Sequence, residues 1–152
     1  MPATIQFTSS SPFNLSEDAD ASVVATLEVF DGAAGEEFLF EVSDKRFTIV
    51  FNEEAGLWEL RLIGDNLLNF EEAASLNLTI TASGSQHTPV TPAEVTINLT
   101  DVDESPTDIV VTGGTIAEST AVGSVVASLK AVDPDAADQN ATFTYTLVDA
   151  PG

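Results

Sequence analysis

The segment Ala93-Glu94-Val95-Thr96-Ile97-Asn98-Leu99-Thr100 alternates apolar and polar side chains, and the acidic stretch Asp101-Val102-Asp103-Glu104-Ser105-Pro106 follows it directly. A period of two places Val95, Ile97 and Leu99 on one face, as in a β-strand with one buried side. We predict strands at Thr4 to Thr8, Ser22 to Phe30, Glu37 to Val42, Arg46 to Phe51, Leu57 to Ile63, Ser75 to Ala82 and Glu94 to Thr100. Seven short strands in about 100 residues predict an all-β, seven-stranded Greek-key sandwich of the immunoglobulin type.

The chain also repeats itself with an offset of about 100 residues, which indicates whole domains in tandem rather than a solenoid of small units. Glu17 corresponds to Glu118, and Ser22-Val23-Val24-Ala25 corresponds to Ser124-Val125-Val126-Ala127. We expect a complete domain over residues 1–104. Residues 105–152 are then the end of the linker and the first strands of a second, truncated repeat.

The strands predicted for this second repeat are Asp108 to Thr112, Gly123 to Val132 and Thr142 to Val148. A sandwich that lacks most of its strands leaves open sheet edges, which can pair with another chain. We therefore expect the tail at 105–152 to be poorly ordered or to exchange strands with a second copy, which would form a dimer.

Composition limits the possible partners. The 152 residues include 25 acidic and 4 basic side chains, and the net charge is −21. Such a field repels phosphate backbones and anionic lipids and attracts cations. We therefore expect cations as partners and do not expect nucleic acid.

The apolar fraction of 43% indicates a folded chain rather than a disordered one. The sequence has no cysteine for disulfides or zinc, and no apolar run approaches the roughly 18 residues of a membrane span, so direct membrane insertion is not expected.

Oxygen-bearing side chains concentrate at four places. These are Glu17, then Asn69 and Glu71, then Asp101, Asp103 and Glu104, and finally Asp133 and Asp135. A spacing of two in an extended segment points side chains the same way, so each pair can act as a pincer. Calcium takes six to eight oxygen ligands from different parts of a chain. The pattern predicts a calcium site at the domain boundary, although any single acidic pair is also typical of a solvated turn.

These motifs resemble those of cadherin repeats. The motifs in chain order are Glu17, Leu68-Asn69-Phe70-Glu71, Asp101-Val102-Asp103-Glu104-Ser105-Pro106 and Asp133-Pro134-Asp135. The resemblance implies that Glu17, Asn69, Glu71, Asp101, Asp103, Glu104, Asp133 and Asp135 are calcium ligands. Asn69 stands where the family has Asp, and Asp31-Gly32-Ala33 lacks the second carboxylate of the corresponding pincer. No calcium is therefore expected at the N-terminal end.

The resemblance also implies a function. We expect a repeat of a large extracellular, bacterial surface protein, which acts as a spacer or adhesion module stiffened by calcium. Without the ion, crowded carboxylates at the junction would repel one another and the linker would hinge. The expected partners are neighbouring repeats of the same chain, the same protein on another cell, or a surface polysaccharide.

Two other classes of function have less support in the sequence. A carbohydrate-binding module of a secreted enzyme or adhesin would use an exposed Trp58 to stack on a sugar ring, but a tryptophan in a strand more often packs in the fold. An enzyme is not expected, because His87 is the only histidine and has no nucleophile or orienting partner nearby in the sequence. His87 is instead expected in a solvent-exposed loop.

Overall fold

The computed structural model describes residues 2–65, 67–86, 89–135 and 142–149, and its regular structure there is all-β. The chain divides into two compact units, Met1–Val102 and Asp103–Gly152. The domain boundary predicted between residues 104 and 105 lies close to this division and stays a prediction. Within the described residues, no helix is long and apolar enough to cross a membrane. His87 lies outside the described residues.

The first unit is a sandwich of two sheets. Its strands are β1 (Ala3–Phe7), β2 (Phe13–Ser16), β3 (Val23–Phe30), β4 (Phe38–Val42), β5 (Phe47–Asn52), β6 (Leu57–Leu62), β7 (Ser75–Gly84), β8 (Val90–Thr91) and β9 (Ala93–Thr100). One sheet has the order β5-β6-β3-β1-β8 and the other the order β2-β9-β7-β4. Neighbouring strands are antiparallel except for the pairs β1–β8 and β2–β9, which are parallel.

The core lies between the two sheets and contains alternate side chains of both. On β9, Val95, Ile97 and Leu99 are buried while Glu94, Thr96, Asn98 and Thr100 are exposed, so the predicted apolar face is confirmed. The largest fully buried side chains are Leu27, Leu60, Leu62, Leu78, Ile80 and Ile97. They come from strands of both sheets, and burying one such side chain stabilises the fold by roughly 1.5 to 3 kcal/mol.

All seven strands predicted for this unit are present, with ends that differ by at most two residues. The prediction missed β2 and β8, which have four and two residues. Strands this short carry almost no alternation, and they form because a neighbouring strand supplies hydrogen-bonding partners. The missed strand β2 matters for function, because it leads directly to Glu17.

The second unit contains a hairpin of β10 (Asp108–Gly113) and β11 (Ala127–Val132), paired in the register Asp108↔Val132. The strand predicted at Gly123 to Val132 is shorter than expected and begins at Ala127. Gly123 has a positive φ and the Ser124 N–H donates to the Ala121 carbonyl, so the chain turns before the strand begins. The strand predicted at Thr142 to Val148 is wrong. Its counterpart β4 forms a strand by pairing with β7, whereas the described residues of this segment form none.

Candidate metal centre

The parallel pairing of β2 with β9 brings two predicted ligands together. The register pairs Ser16 with Thr100, so the next residues along the two strands are Glu17 and Asp101. The Glu17 N–H donates to the Thr100 carbonyl at 3.2 Å, which continues the ladder past the end of β2. Both carboxylates therefore emerge at the same edge of the sheet.

Glu17 is buried, with 4% of its surface exposed. Its Oε2 accepts a hydrogen bond from the Phe70 N–H at 2.7 Å, and its Oε1 accepts one from the Val102 N–H at 2.7 Å. Both oxygens of this buried carboxylate therefore have a main-chain hydrogen-bond partner, as buried polar groups require. One carboxylate thus ties together β2, the loop that carries Glu71, and the chain that leaves β9.

The loop between β6 and β7 presents Glu71 from a single turn of chain. Leu68 is buried and Phe70 packs against the core, so the loop is attached to the sandwich on its inner side. The Asn69 side-chain Oδ1 accepts a hydrogen bond from the Glu72 N–H at 2.6 Å, and the Asn69 main-chain carbonyl accepts one from the Ala73 N–H at 3.2 Å. Asn69 thus caps this turn as Asn caps a helix. Its role as a metal ligand stays a prediction.

One carboxylate oxygen each from Glu17, Glu71 and Asp101 lies within 4.8 Å of the other two. Calcium binds oxygen at about 2.3 to 2.6 Å, so two ligand atoms of one ion are at most about 5 Å apart. The three oxygens therefore satisfy the spacing of a single calcium ion. Glu71 and Asp101 are exposed, so an ion can reach the cluster from solvent.

Sequence reasoning did not single out Arg46, which contacts the start of the same loop. Its Nη1 donates to the Leu67 carbonyl at 3.1 Å, while its Nη2 pairs with Asp44 Oδ2 at 2.6 Å. Hydrogen bonds from Arg46 hold the pKa of Asp44 below its ordinary value, although partial burial opposes this effect. The only signal in the sequence is the spacing of two between an acid and a base, which is too common to be informative.

The second unit contains its own acidic group, made of Glu104, Asp133 and Asp135. The Glu104 N–H donates to Asp135 Oδ2 at 2.7 Å, and the Asp135 N–H donates to Asp133 Oδ1 at 3.1 Å. Asp135 is 3% exposed. Among the described residues, its Oδ1 and the Asp133 Oδ2 are buried without a hydrogen-bond partner. Asp103 belongs to this unit and is exposed.

Trp58 is part of the packing of the first unit. Its ring lies 4.7 Å from the ring of Phe40 and 5.0 Å from that of Phe51, measured between centroids. A groove of about 620 Å³ opens beside it, with Glu28 and Glu37 among the lining residues. The tryptophan is half-buried and packs against the core, as expected. It also lines this groove, and the role in sugar binding is not tested.

No family model matches the chain. Protocadherin gamma-A6 from Pan troglodytes and from Homo sapiens are each 29% identical to it over 132 residues, which make up 84% of this chain and 14% of the relative. The chain thus spans only a small part of these relatives. A bacterial source is not borne out by these comparisons, since both relatives are primate proteins.

Solved structures are similar as well. The structure "Protocadherin gammaB7 EC3-6 cis-dimer" is 27% identical, with a TM-score of 0.59 over 88% of this chain and 33% of that chain. The structure "PcdhgB3 EC1-4" has a TM-score of 0.62 over 99% of this chain and 38% of that chain, at 22% identity. At that identity, the second similarity concerns the fold alone.

Proposed function

We propose that this cadherin-like chain is a calcium-binding repeat of an extracellular adhesion protein. The cadherin-like, all-β fold is shown by the protocadherin similarities. We infer the extracellular location because a similar solved structure, 28% identical to this chain, is of extracellular cadherin domains. Neighbouring repeats and further copies of the protein are the proposed partners, because one similar structure is a cis-dimer. A surface polysaccharide has no support in the comparisons.

The observation that carries the calcium proposal is the convergence of Glu17, Glu71 and Asp101 within 4.8 Å. Two like charges about 4 Å apart repel by roughly 1 kcal/mol in water and roughly 4 kcal/mol at an effective dielectric constant of 20. A divalent cation converts this repulsion into attraction. The buried position of Glu17 strengthens the argument, because its carboxylate is held in place before any ion binds.

The second unit supports the proposal independently. Buried carboxylate oxygens without a hydrogen-bond donor are rare and call for an explanation such as an ion. Asp133 Oδ2 and Asp135 Oδ1 are such atoms among the described residues. We infer that Asp133, Asp135, Glu104 and Asp103 supply the calcium ligands of this unit. The role of a stiffened spacer rests on the sequence repeat and stays a prediction.

Thermal unfolding with and without millimolar calcium tests the proposal. Extracellular modules bind calcium with Kd values of about 10⁻⁴ to 10⁻³ M. Calcium at ten times the Kd adds about 1.4 kcal/mol of stability, and we expect the Tm to rise by about 5 °C. A double variant, Glu71→Ala with Asp101→Ala, should lose most of this rise.

The matched control is the double variant Glu53→Ala with Glu54→Ala, which removes two equally exposed carboxylates from the turn between β5 and β6. It should keep the full response to calcium. If calcium leaves the wild-type Tm unchanged, the proposed function is wrong. If both double variants lose the response equally, the ion is attracted by overall charge and not by the site.

A further inference from the structure

Arg46, in the turn between β4 and β5, makes two hydrogen bonds to the chain that leads from β6 to Glu71. The Arg46 guanidinium donates through Nη1 to the Leu67 carbonyl at 3.1 Å. The Arg46 carbonyl accepts the Ile63 N–H at 2.9 Å. The main chain and the side chain of Arg46 thus hold the chain where it leaves β6 and again just before the turn that carries Glu71.

Asp44 orients this guanidinium. The Arg46 Nε donates to Asp44 Oδ1 and Oδ2 at 3.1 Å each, and Nη2 donates to Oδ2 at 2.6 Å. Asp44 Oδ1 also accepts the Arg46 N–H at 2.9 Å, so the carboxylate is held by its own turn. The planar guanidinium fork can make all of these bonds while its remaining nitrogen reaches Leu67. An ammonium group has no comparable fork.

The position of Glu71 depends in part on how its loop is attached to the sandwich. The hydrogen bonds that hold the loop from Leu67 to Ser75 to the rest of the unit include the Arg46 bond at its start, the Phe70 N–H bond to Glu17, and the bond from the Leu99 N–H to the Ala74 carbonyl near its end. Arg46 is the side chain among these that holds the first half of the loop without being a proposed ligand. Without it, the first half of the loop loses its side-chain anchor to the β4–β5 turn.

We propose that Arg46 is a positioning residue for the divalent-cation site, an inference that rests on the proposed function. It holds the loop so that Glu71 lies within reach of the same ion as Glu17 and Asp101. The guanidinium has only hydrogen-bond donors and cannot ligate a cation, and its charge is paired with Asp44.

Charge and positioning predict opposite effects of replacing Arg46. If Arg46 acted only through its charge, removing a cation from the neighbourhood of the carboxylates would tighten calcium binding. If it acted only on the stability of the fold, the Tm without calcium would fall and the affinity would stay the same. Positioning alone predicts weaker calcium binding by a protein that is still folded.

The experiment is a calorimetric calcium titration of the full chain, as wild type, Arg46→Met, Arg46→Lys and Arg61→Met. Arg61→Met removes the same charge from a looser ion pair, in which Arg61 Nε lies 3.6 Å from Glu59 Oε2. We expect about tenfold weaker binding in Arg46→Met, at the lower end of what loss of an outer-shell partner costs. Arg46→Lys should be intermediate, and Arg61→Met should bind like wild type. Unchanged or tighter binding in Arg46→Met overturns the inference.

Amide hydrogen exchange in calcium-free buffer separates this inference from the proposed function. The Phe70 N–H is bonded to Glu17 and reports on the position of the loop. It should exchange faster in Arg46→Met than in wild type and Arg61→Met. If wild type binds no calcium, the proposed function fails, and the exchange result alone decides whether Arg46 positions the loop. Equal exchange in all variants contradicts positioning.

Discussion

The Glu17 carboxylate accepts main-chain hydrogen bonds and is also one of the proposed calcium ligands. Its oxygens accept main-chain N–H groups from Phe70 and Val102, and one of them also lies within 4.8 Å of oxygens on Glu71 and Asp101. Each oxygen has more than one lone pair, so accepting a hydrogen bond leaves room for a metal. In the proposed calcium site, Glu17 is therefore held in place by its own hydrogen bonds, whereas Glu71 and Asp101 are exposed.

This difference predicts unequal effects of two alanine variants in the absence of calcium. Hydrogen bonds to a charged group contribute about 1.5 to 3 kcal/mol each, so Glu17→Ala should lower the free energy of unfolding by roughly 3 kcal/mol. Glu71→Ala changes an exposed side chain and should cost less than about 0.5 kcal/mol. Urea unfolding in the presence of a chelator measures both. Equal costs would mean that the bonds to Phe70 and Val102 contribute no stability.

Among the elements, the turn between β4 and β5 carries an ion pair whose strength depends on pH. Arg46 lowers the pKa of Asp44 chiefly through side-chain hydrogen bonds, and the pKa of Arg46 is raised in return. Glu72 is the other charged group that acts on Arg46. Both partners are partly exposed, so we expect a contribution of less than about 1 kcal/mol.

The sign of the pH dependence follows from the lowered pKa of Asp44. The stabilisation is fully present above the unfolded-state pKa of about 3.9 and is lost as the pH falls through the lower folded-state value. Asp44→Asn should therefore be less stable than wild type at neutral pH, and the two should converge in acid. Urea unfolding at several pH values checks this. A difference that stays constant down to the most acidic pH would show that the charge of Asp44 is not responsible.

In the whole molecule, the two units differ in how well they cover their apolar surface. The first unit buries side chains between two sheets, whereas β10 of the second unit is exposed along its whole length. Ile109, Val111 and Leu129 are among the exposed large apolar side chains of the hairpin. Open strands with apolar side chains are prone to pair with another chain, so the expected strand-exchange dimer stays a prediction with physical support.

We expect the chain to self-associate as its concentration rises, and Val111→Lys to reduce this association. The new charge would have to be buried when the hairpins of two copies meet. Sedimentation velocity over a range of concentrations measures the effect. The control Thr112→Lys adds the same charge to a neighbouring exposed position of the same strand. A wild-type chain that is monomeric at all concentrations would exclude the dimer, and equal loss in both variants would indicate a general charge effect.

Much of the fold could be predicted because its signals are local. The alternation at Val95, Ile97 and Leu99 requires a strand with one buried face, wherever the partner strands come from. The spacing of Asp101 and Asp103, and of Asp133 and Asp135, likewise indicates oxygen ligands without any knowledge of the fold. The sequence alone thus determined the all-β class, the buried face of each longer strand and the acidic character of the site.

The tertiary structure decided what depends on distant partners. The strand β2 exists through its parallel pairing with β9, and this register places Glu17 beside Asp101. Arg46 meets the Leu67 carbonyl across 21 residues of sequence. The segment Thr142 to Val148 has the composition of a strand, yet it forms none in the structure. Hydrogen bonds of these kinds have no local signature, because the donor and the acceptor are brought together only when the sheets pack.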